Sequence, residues 1–376
     1  MPPKKIPIAS PFLAGNERRY VNEVVRSGWI SSSGSAVRRF ESEFADYCGS
    51  RHGIAVSSGT AALHLALRAA GVGPGDEVII PDFTMIAVAY AVLYCGARPV
   101  LADVEPDTGN LDASRLETNF SRRTKAVIAV HTYGHPCDLA PILRSARRHK
   151  ALVIEDAAEA HGALYKGKRC GAVADLGVFS FYANKIVTTG EGGMVITKDP
   201  KLAARCRYLR DLCFTPGREH DFRHDEIGFN YRLSSLQAAL GIAQLENITD
   251  TIARKKRIAA HYNKALSGLK GLELPAARSY ASSVYWMYGI RLTAEAPLTR
   301  EKLRRELKER GIETRVFFYP MHLQKGLKGK FQAAGLDRAA SIRLSEQGLC
   351  LPCGTGLTKD QLRYVSSAVR AAWGLK

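Results

Sequence analysis

Short apolar runs alternate with helix-like segments between about residues 50 and 200. The apolar runs have the length and the bounding turn residues of buried strands, which predicts strands over residues 54–57, 77–80, 99–103, 126–130 and 152–155. Helices are predicted between them, over residues 61–70, 85–94 and 138–149. Alternating strands and helices favour right-handed crossovers and a parallel sheet, so we predict an α/β fold.

The pattern changes in the second half of the chain. Residues 177–181 and 194–197 are apolar runs without a full helix between them, which predicts a hairpin-like addition to the sheet. One long helix is predicted over residues 233–266, leading into a smaller C-terminal α+β region. The elements expected in that region cover residues 283–292, 300–309 and 316–319. We therefore predict a large domain over residues 10–245 and a small domain over residues 246–376.

Composition fits a large globular protein. The 376 residues are 46% hydrophobic, enough for a sizeable core, and this length predicts about two or three domains. The longest uncharged run, residues 83–97, is shorter than the roughly 20 residues that span a bilayer, and the N-terminal segment has no apolar leader region. Of the eight cysteines only Cys350 and Cys353 form a CxxC pair, without a second pair at zinc spacing. We expect a cytoplasmic protein with reduced cysteines, no metal site and no membrane contact.

The net charge of +18 needs a separate explanation. Basic clusters at residues 144–150, 254–257 and 301–307 lie on helix-like segments, which is typical of solvated helix faces. No helix-turn-helix, RNA-binding signature or aromatic-interleaved basic stripe accompanies them, so we expect no nucleic-acid partner. The chain also lacks GxGxxG and Walker patterns, which disfavours a dinucleotide-dependent dehydrogenase and an NTPase. Small phosphorylated ligands would account for part of the charge.

The strongest candidate chemistry lies at Lys185 and Asp156. Lys185 stands in SFYANKIVTTGEGG, between a predicted buried strand and a glycine-rich turn, and Asp156 stands 29 residues earlier in VIEDAAEAHG, at the end of another strand. A lysine amine can bond to the aldehyde of pyridoxal 5′-phosphate (PLP), and a carboxylate can keep its pyridine nitrogen protonated. The alternative for Asp156 is an N-cap of a following helix.

A candidate anion site comes earlier in the chain. Ser58, Gly59 and Thr60 follow a predicted strand and open a predicted helix. Free amides and the helix dipole at such a position attract a phosphate. The alternative is an ordinary helix cap without a ligand.

Six blocks resemble the DegT-type family of sugar-nucleotide aminotransferases, in that family's order and spacing. They are SSGTAALHLAL (57–67), IPDFTMIA (80–87), HTYGHPCDL (131–139), EDAAEAHG (155–162), SFYANKIVTTGEGGMVIT (180–197) and GFNYRLSSLQAALGIAQLE (228–246). Six blocks in order are far more specific than one. The similarity runs from about residue 8 to the C-terminus. Two later segments, YWMYGI (285–290) and ETRVFFYPMH (313–322), are most similar to the branch that makes perosamine-type sugars.

This resemblance implies a fold and a cofactor site. The fold is that of type I, aspartate aminotransferase-like PLP enzymes, with a seven-stranded, mostly parallel sheet in the large domain. PLP is expected on Lys185, with Asp156 at the ring nitrogen. The phosphate contacts implied by the family are Ser58, Gly59, Thr60, Ser180 and, from the neighbouring subunit, Asn230. The last contact implies a homodimer with shared active sites.

Two cofactor-binding positions depart from the common family pattern. Met85 stands where the family usually has an aromatic residue stacked on the cofactor ring, and a methionine sulfur can also pack on a π-face. Glu159 stands where many relatives have a glutamine that donates to the phenolic oxygen of PLP. A carboxylate would repel a phenolate there unless the two share a proton. Glutamate at this position also occurs in the perosamine-like branch.

Three further residues are candidates for substrate binding. His322 matches a family position near the sugar, with a structural role as the alternative. Arg232 could serve the neighbouring subunit's site or cap the long helix, and His161 could lie near the cofactor or satisfy a buried backbone group. The sequence leaves these alternatives open.

The resemblance implies a PLP-dependent aminotransferase that takes its amino group from glutamate. The expected acceptor is a nucleotide-linked keto-sugar, with GDP-4-keto-6-deoxymannose as the first choice and a 3-keto, UDP-linked or dTDP-linked sugar as the alternative. A PLP-dependent dehydratase of this fold has histidine in place of the lysine, so Lys185 disfavours it. A non-enzymatic regulatory protein would be expected to lose Lys185 or Asp156, and both are present.

Overall fold

The computed structural model describes residues 5–214, 222–333 and 335–375. The strands in these ranges are β1 His52–Val56, β2 Glu77–Pro81, β3 Arg98–Ala102, β4 Thr124–Val130, β5 Leu152–Asp156, β6 Leu164–Tyr165, β7 Lys168–Arg169, β8 Leu176–Ser180, β9 Gly193–Thr197, β10 Leu272–Glu273, β11 Ala281–Ser282, β12 Tyr288–Leu292, β13 Arg315–Val316 and β14 Gly348–Leu351. The α-helices are α1 Glu17–Ser27, α2 Ser35–Cys48, α3 Gly59–Ala69, α4 Ala87–Tyr94, α5 Leu139–Arg148, α6 Pro200–Arg210, α7 Ser235–Glu246, α8 Ile248–Leu266, α9 Arg300–Glu309, α10 Ala339–Gln347 and α11 Lys359–Ala372.

The largest sheet has seven strands in the order β1–β9–β8–β5–β4–β2–β3. Strand β9 runs antiparallel to both of its neighbours, β1 and β8, and the other pairs are parallel. The prediction of a seven-stranded, mostly parallel sheet is therefore confirmed. The antiparallel pair β8–β9 is the hairpin-like addition expected from the sequence.

Two smaller sheets accompany the large one. Strands β10–β12–β14–β13 form one, and β11–β6–β7 form the other. The division into domains at residue 245 stays a prediction. The long helix expected over residues 233–266 is two helices, because the backbone leaves helical geometry at Asn247, with φ −102° and ψ 7°. The Asn247 side chain donates to the Ala243 carbonyl at 3.1 Å, a local bond that competes with helix continuation.

Strand alternation divides the core between the two faces of the large sheet. Ile54 and Val56 of β1 pack into one apolar cluster, while Ala55 between them packs into the other. In β5, Val153 and Ile154 are divided in the same way. Side chains of successive strand residues point to opposite faces. The next two residues of β5, both acidic, therefore project to different sides of the sheet.

Glu155 is the first of these two acids, and it serves the fold. Its side chain is fully buried. It accepts hydrogen bonds of 2.7 Å from the backbone amides of Gly171, Val173 and Ala174, and it lies 3.0 Å from His131 Nε2. These bonds satisfy one buried and two part-buried amides, which folding removes from much of their solvation. Glu155 thus fixes the segment between β7 and β8 onto the end of the sheet.

Two broader features concern the cysteines and the helices. All eight cysteines are free and buried. Within the described ranges, no helix is both long and apolar enough to cross a bilayer.

Replacing Glu155 should destabilise the fold. Glu155→Ala leaves one buried and two part-buried amides without acceptors, so we expect the free energy of unfolding to fall by about 2–5 kcal/mol. Urea unfolding followed by circular dichroism measures this change. The control is Glu23→Ala, which removes an exposed carboxylate paired only with Arg19. Equal midpoints for the two variants would contradict the assigned role.

Candidate active site

The carboxyl ends of the parallel strands meet at one edge of the large sheet and border a cavity of about 340 Å³. Ligands in open α/β sheets collect at this edge. Most of the predicted cofactor residues line the cavity, namely Ser58, Gly59, Thr60, Met85, Asp156, Glu159, Ser180 and Lys185. Residues separated by more than 120 positions in the chain are thus brought to one place by the strand order.

The first turn of α3 forms an anion-binding corner of this cavity. Ser58 is the N-cap, and its hydroxyl accepts from the Ala61 amide at 3.1 Å. The first amides of a helix have no intrahelical acceptor, so those of Gly59 and Thr60 can serve a bound anion. A Cβ atom at Gly59 would lie 2.7 Å from the Cβ atom of Ser180. Only glycine therefore lets the turn approach Ser180 so closely.

The side chain of Lys185 is only 10% exposed, and its amine lies between an aromatic face and a carboxylate. Nζ is 3.7 Å from the ring centroid of Trp286 and 3.9 Å from Glu159 Oε1. Among the described residues no hydrogen-bond acceptor is in place for this amine. Burial lowers the pKa of Lys185, and the carboxylates of Glu159 and Asp156 oppose that shift. The cation–π contact with the Trp286 ring stabilises the charged form of the amine, as the two carboxylates do.

Trp286 is held in place by two further hydrogen bonds. Its indole N–H donates to the Asn184 carbonyl at 2.9 Å, next to Lys185 in the chain. Its own carbonyl accepts from Lys255 Nζ at 2.7 Å, and the same amine donates to the Cys353 carbonyl at 2.8 Å. The buried Lys255 thereby ties α8 to the segment that carries the tryptophan.

Asp156 and Glu159 supply the two buried carboxylates nearest to Lys185. Asp156 ends β5 and accepts from the Ala158 amide at 3.0 Å, within a turn. No helix begins there, so the alternative of a helix N-cap is wrong. Glu159 accepts from the Tyr133 amide at 2.7 Å. Burial raises the pKa of Asp156 and raises that of Glu159 to about 7, while Lys185 opposes both shifts.

Several cavity residues were not singled out from the sequence. Trp286, Arg315 and Phe318 all line the cavity and come from the C-terminal part of the chain. They stand in YWMYGI and ETRVFFYPMH, the two segments that carry the branch resemblance. The signal was therefore present, but nothing in the segments alone placed these side chains near Lys185.

His161 and His322 lie outside the cavity lining. His161 is fully buried and packs against the rings of Phe44, Phe179 and Phe181, and burial lowers its pKa to about 3. A neutral ring enclosed by phenylalanines has no access to a sugar. His322 is held by Asp82, which accepts from His322 N at 2.9 Å and lies 2.6 Å from its Nδ1.

Asn230 and Arg232 also lie away from the cavity lining. Asn230 is exposed, and its backbone forms a bridge with Asp211. Arg232 makes an ion pair with the carboxylate of Asp211. Neither residue reaches the cavity of its own chain, as expected if their roles concern a neighbouring subunit.

The residues around the cavity fit PLP. The helix N-terminus and Ser180 offer an anion site, a carboxylate stands at a strand end, and the Lys185 amine has no hydrogen-bond acceptor among the described residues. Because Gly59 has no side chain, an anion can approach the backbone amides at this site. Asp156, Met85 and Ala158 also line the cavity.

Comparisons with known proteins agree with this geometry. The chain is 46% identical over 366 residues to GDP-perosamine synthase of Caulobacter vibrioides, covering 97% of each chain. It is 41% identical to GDP-perosamine synthase of Escherichia coli O157:H7, covering 97% of this chain and 98% of that one. The PLP form of a putative sugar aminotransferase, Spr1654 from Streptococcus pneumoniae, superposes with a TM-score of 0.91 at 26% identity over 99% of each chain.

The model of the DegT/DnrJ/EryC1/StrS aminotransferase family matches residues 11–370, nearly the whole chain. The expectations of the aminotransferase fold, of PLP as cofactor and of transaminase activity are thereby confirmed. This chain belongs to the DegT/DnrJ/EryC1/StrS family of aminotransferases.

Proposed function

We propose that this aminotransferase moves an amino group from glutamate to GDP-4-keto-6-deoxymannose and so forms GDP-perosamine. The observation that carries the reaction class is the Lys185 amine in one cavity with Asp156 and an anion-binding helix terminus. The observation that favours this sugar is the identity of 46% and 41%, over nearly the full length, to two enzymes named GDP-perosamine synthase.

The cofactor contacts follow from the cavity. We assign the phosphate to the first turn of α3 together with Ser180, and the pyridine nitrogen to Asp156. Bound PLP supplies an electron sink for proton removal at the carbon that carries the amine. Met85, about half exposed at the cavity wall, is assigned to cover the ring.

Lys185 moves the protons. We assign it as the residue that bonds to the cofactor aldehyde in the resting enzyme. Once the amino group of the donor had displaced it from the aldehyde, the free amine of Lys185 would take the proton from the α-carbon of the donor and would later deliver a proton to the sugar carbon that receives nitrogen. The lowered pKa supports this role, because a neutral amine can accept a proton.

Glu159 is assigned to the phenolic oxygen of the cofactor. An ionised carboxylate would repel a phenolate, but a protonated one donates a hydrogen bond to it. Burial raises the pKa of Glu159 to about 7, so the protonated form is accessible near neutral pH. Glutamate can in this way replace the glutamine of many relatives.

We also propose a cytoplasmic homodimer with shared sites, and the positions of Asn230 and Arg232 support the sharing of sites. Asn230 is exposed and outside the cavity of its own chain, whereas the other assigned phosphate contacts line that cavity. We therefore assign Asn230 and Arg232 to the partner's site. The role of His322 at the sugar stays a prediction from its family position, since its ring is held by Asp82 outside the cavity lining. His161 is left without a substrate role, because its ring is buried among phenylalanines.

The proposed reaction predicts a labelled product. With isotopically labelled glutamate and GDP-4-keto-6-deoxymannose, mass spectrometry should find the label in the nucleotide sugar. Lys185→Met should give no product. UDP- and dTDP-linked 4-keto-6-deoxyglucose serve as competing acceptors, and we expect kcat/KM to be at least about tenfold lower with each of them. A higher kcat/KM on either competitor, or amination at carbon 3, would overturn the proposed substrate.

Glu159 predicts a pH-dependent stability of the cofactor-free protein. Its pKa rises from an ordinary value of 4.5 to about 7 on folding, so between these values the folded chain binds more protons than the unfolded chain. Its contribution to stability is therefore lost as pH rises through this window. Glu159→Gln should add about 1–3 kcal/mol more to the free energy of unfolding at pH 8 than at pH 5, since one unit of pKa difference corresponds to about 1.4 kcal/mol.

Urea unfolding at the two pH values measures the Glu159 effect. The control is Glu191→Gln, which changes an exposed carboxylate in the wall of the same cavity and should leave the pH difference as in the wild type. An identical pH response of Glu159→Gln and wild type would refute the assignment.

Shared active sites predict complementation between two inactive variants. Lys185→Ala removes the amine, and Asn230→Asp places a negative charge against the partner's phosphate. Co-expression with two different tags and purification through both isolates mixed dimers, each with one intact site and one site carrying both lesions. Their activity should be about half that of the wild type, since two-fold symmetry gives two sites per dimer. Activity no higher than that of Asn230→Asp alone would place the whole site within one chain.

A further inference from the structure

The indole ring of Trp286 covers one side of the Lys185 amine. Nζ lies 3.7 Å from the ring centroid, well within the roughly 6 Å over which an aromatic face attracts a cation. Trp286 is only 4% exposed, and it lines the same cavity as Lys185. Because little water reaches this contact, the ring stabilises an ammonium here more than it would at the protein surface.

Hydrogen bonds at both ends of Trp286 hold this ring beside the amine. The indole N–H donates at 2.9 Å to the carbonyl of Asn184, the residue that precedes Lys185 in the chain. The Trp286 carbonyl accepts from the buried amine of Lys255 at 2.7 Å. Since the ring is bonded to the backbone next to Lys185, its face stays within reach of the amine when the lysine side chain moves.

The other titratable groups around the amine stabilise its charge less once the cofactor is bound. Asp156 is then assigned to the pyridine nitrogen, and Glu159 to the phenolic oxygen in its protonated, uncharged form. Glu159 Oε1 is also 3.9 Å from Nζ, which is too far for a hydrogen bond. The charge of Arg315 lowers the pKa of the amine, and the ring of His161 is neutral, since burial lowers its pKa to about 3. The π-face of the tryptophan is the stabilising group that has no other task.

An aromatic face suits an amine that must hold a proton and then release it. In the proposed reaction the free amine of Lys185 takes a proton from the α-carbon of the donor, and the electron pair of the broken C–H bond stays with the electron sink. The amine is then an ammonium until it gives a proton to another carbon. A carboxylate in contact with this ammonium could take the proton itself, whereas a π-face stabilises the charge and has no basic site.

We propose that Trp286 is a catalytic residue, whose ring face binds the Lys185 ammonium whenever this lysine is free of the cofactor and so holds the proton-carrying group in place between two proton transfers. This inference rests on the proposed function, because it takes Lys185 to be the group that moves the protons. It gives the segment YWMYGI (285–290) a part in the chemistry, next to residues that the large sheet supplies.

The test measures the pKa of Lys185 in the cofactor-free protein. Trace acetylation with acetic anhydride, followed by mass spectrometry of the peptide that carries Lys185, gives the neutral fraction of this amine at each pH. Trp286→Leu removes the π-face, and we expect the pKa of Lys185 to fall by about one unit, a tenfold loss of proton affinity. Trp286→Phe keeps a smaller π-face, so the fall should be about half as large. The control is Trp373→Leu, which removes an indole at the end of α11 whose N–H also donates to a backbone carbonyl, that of Lys270.

A variant that preserves the shape of the ring keeps the test valid if Trp286→Leu does not fold. Biosynthetic replacement of the three tryptophans by 5-fluorotryptophan draws electron density from each ring and leaves the indole N–H in place. The pKa of Lys185 should then fall by a few tenths of a unit, because the attraction depends on the negative charge of the ring face. The same replacement in Trp286→Phe changes only Trp29 and Trp373 and should leave its value unchanged.

The pH profile of the single-turnover reaction of the PLP-loaded protein with glutamate is the second readout. In Trp286→Leu its acid limb should move to lower pH by the same amount as the pKa of Lys185, because a weaker base stays neutral at lower pH. An equal pKa in Trp286→Phe and Trp286→Leu would assign the effect to the lost indole N–H and overturn the inference, as would an acid limb that does not move. A different amino donor or sugar would overturn only the proposed substrates, since the measurement on the cofactor-free protein does not involve them.

Discussion

The buried amine of Lys185 is the constraint on which the arrangement of this site depends. An ammonium removed from water loses solvation free energy, and only nearby negative charge or π-density can restore part of it. Glu159 and Trp286 supply these at 3.9 Å and 3.7 Å. Each is fixed in turn, Glu159 by the Tyr133 amide and Trp286 by the amine of Lys255. The amine is thus positioned by contacts from several distant parts of the chain.

Burial also brings the pKa values of Glu159 and Lys185 closer together. Desolvation raises the pKa of Glu159 and lowers that of Lys185, because it penalises the charged form of both. The two shifts narrow the difference in proton affinity between the two groups. A smaller difference suits the proton transfers that we propose for Lys185.

The sequence was most informative where function depends on neighbouring residues. Lys185 between a strand and a glycine-rich turn, and Asp156 at a strand end, are local features, and the parallel strand order then places them together. Trp286 and Arg315 could not be placed in this way, because only packing between remote segments brings them to Lys185. His161 lies five residues beyond Asp156, the last residue of β5, yet its ring packs into the phenylalanine cluster, which spacing alone does not reveal.

The alternation along β5 has a consequence for how this protein can vary over evolutionary time. Glu155 and Asp156 are neighbours that face opposite sides of the sheet, one bonded to buried amides and the other lining the cavity. A slip of one residue would exchange their sides, since strand side chains repeat every second position. An insertion or deletion within β5 would therefore displace both Glu155 and Asp156. A point substitution can change one of them and leave the other in place. The length of this strand is therefore more constrained than the lengths of the loops around it.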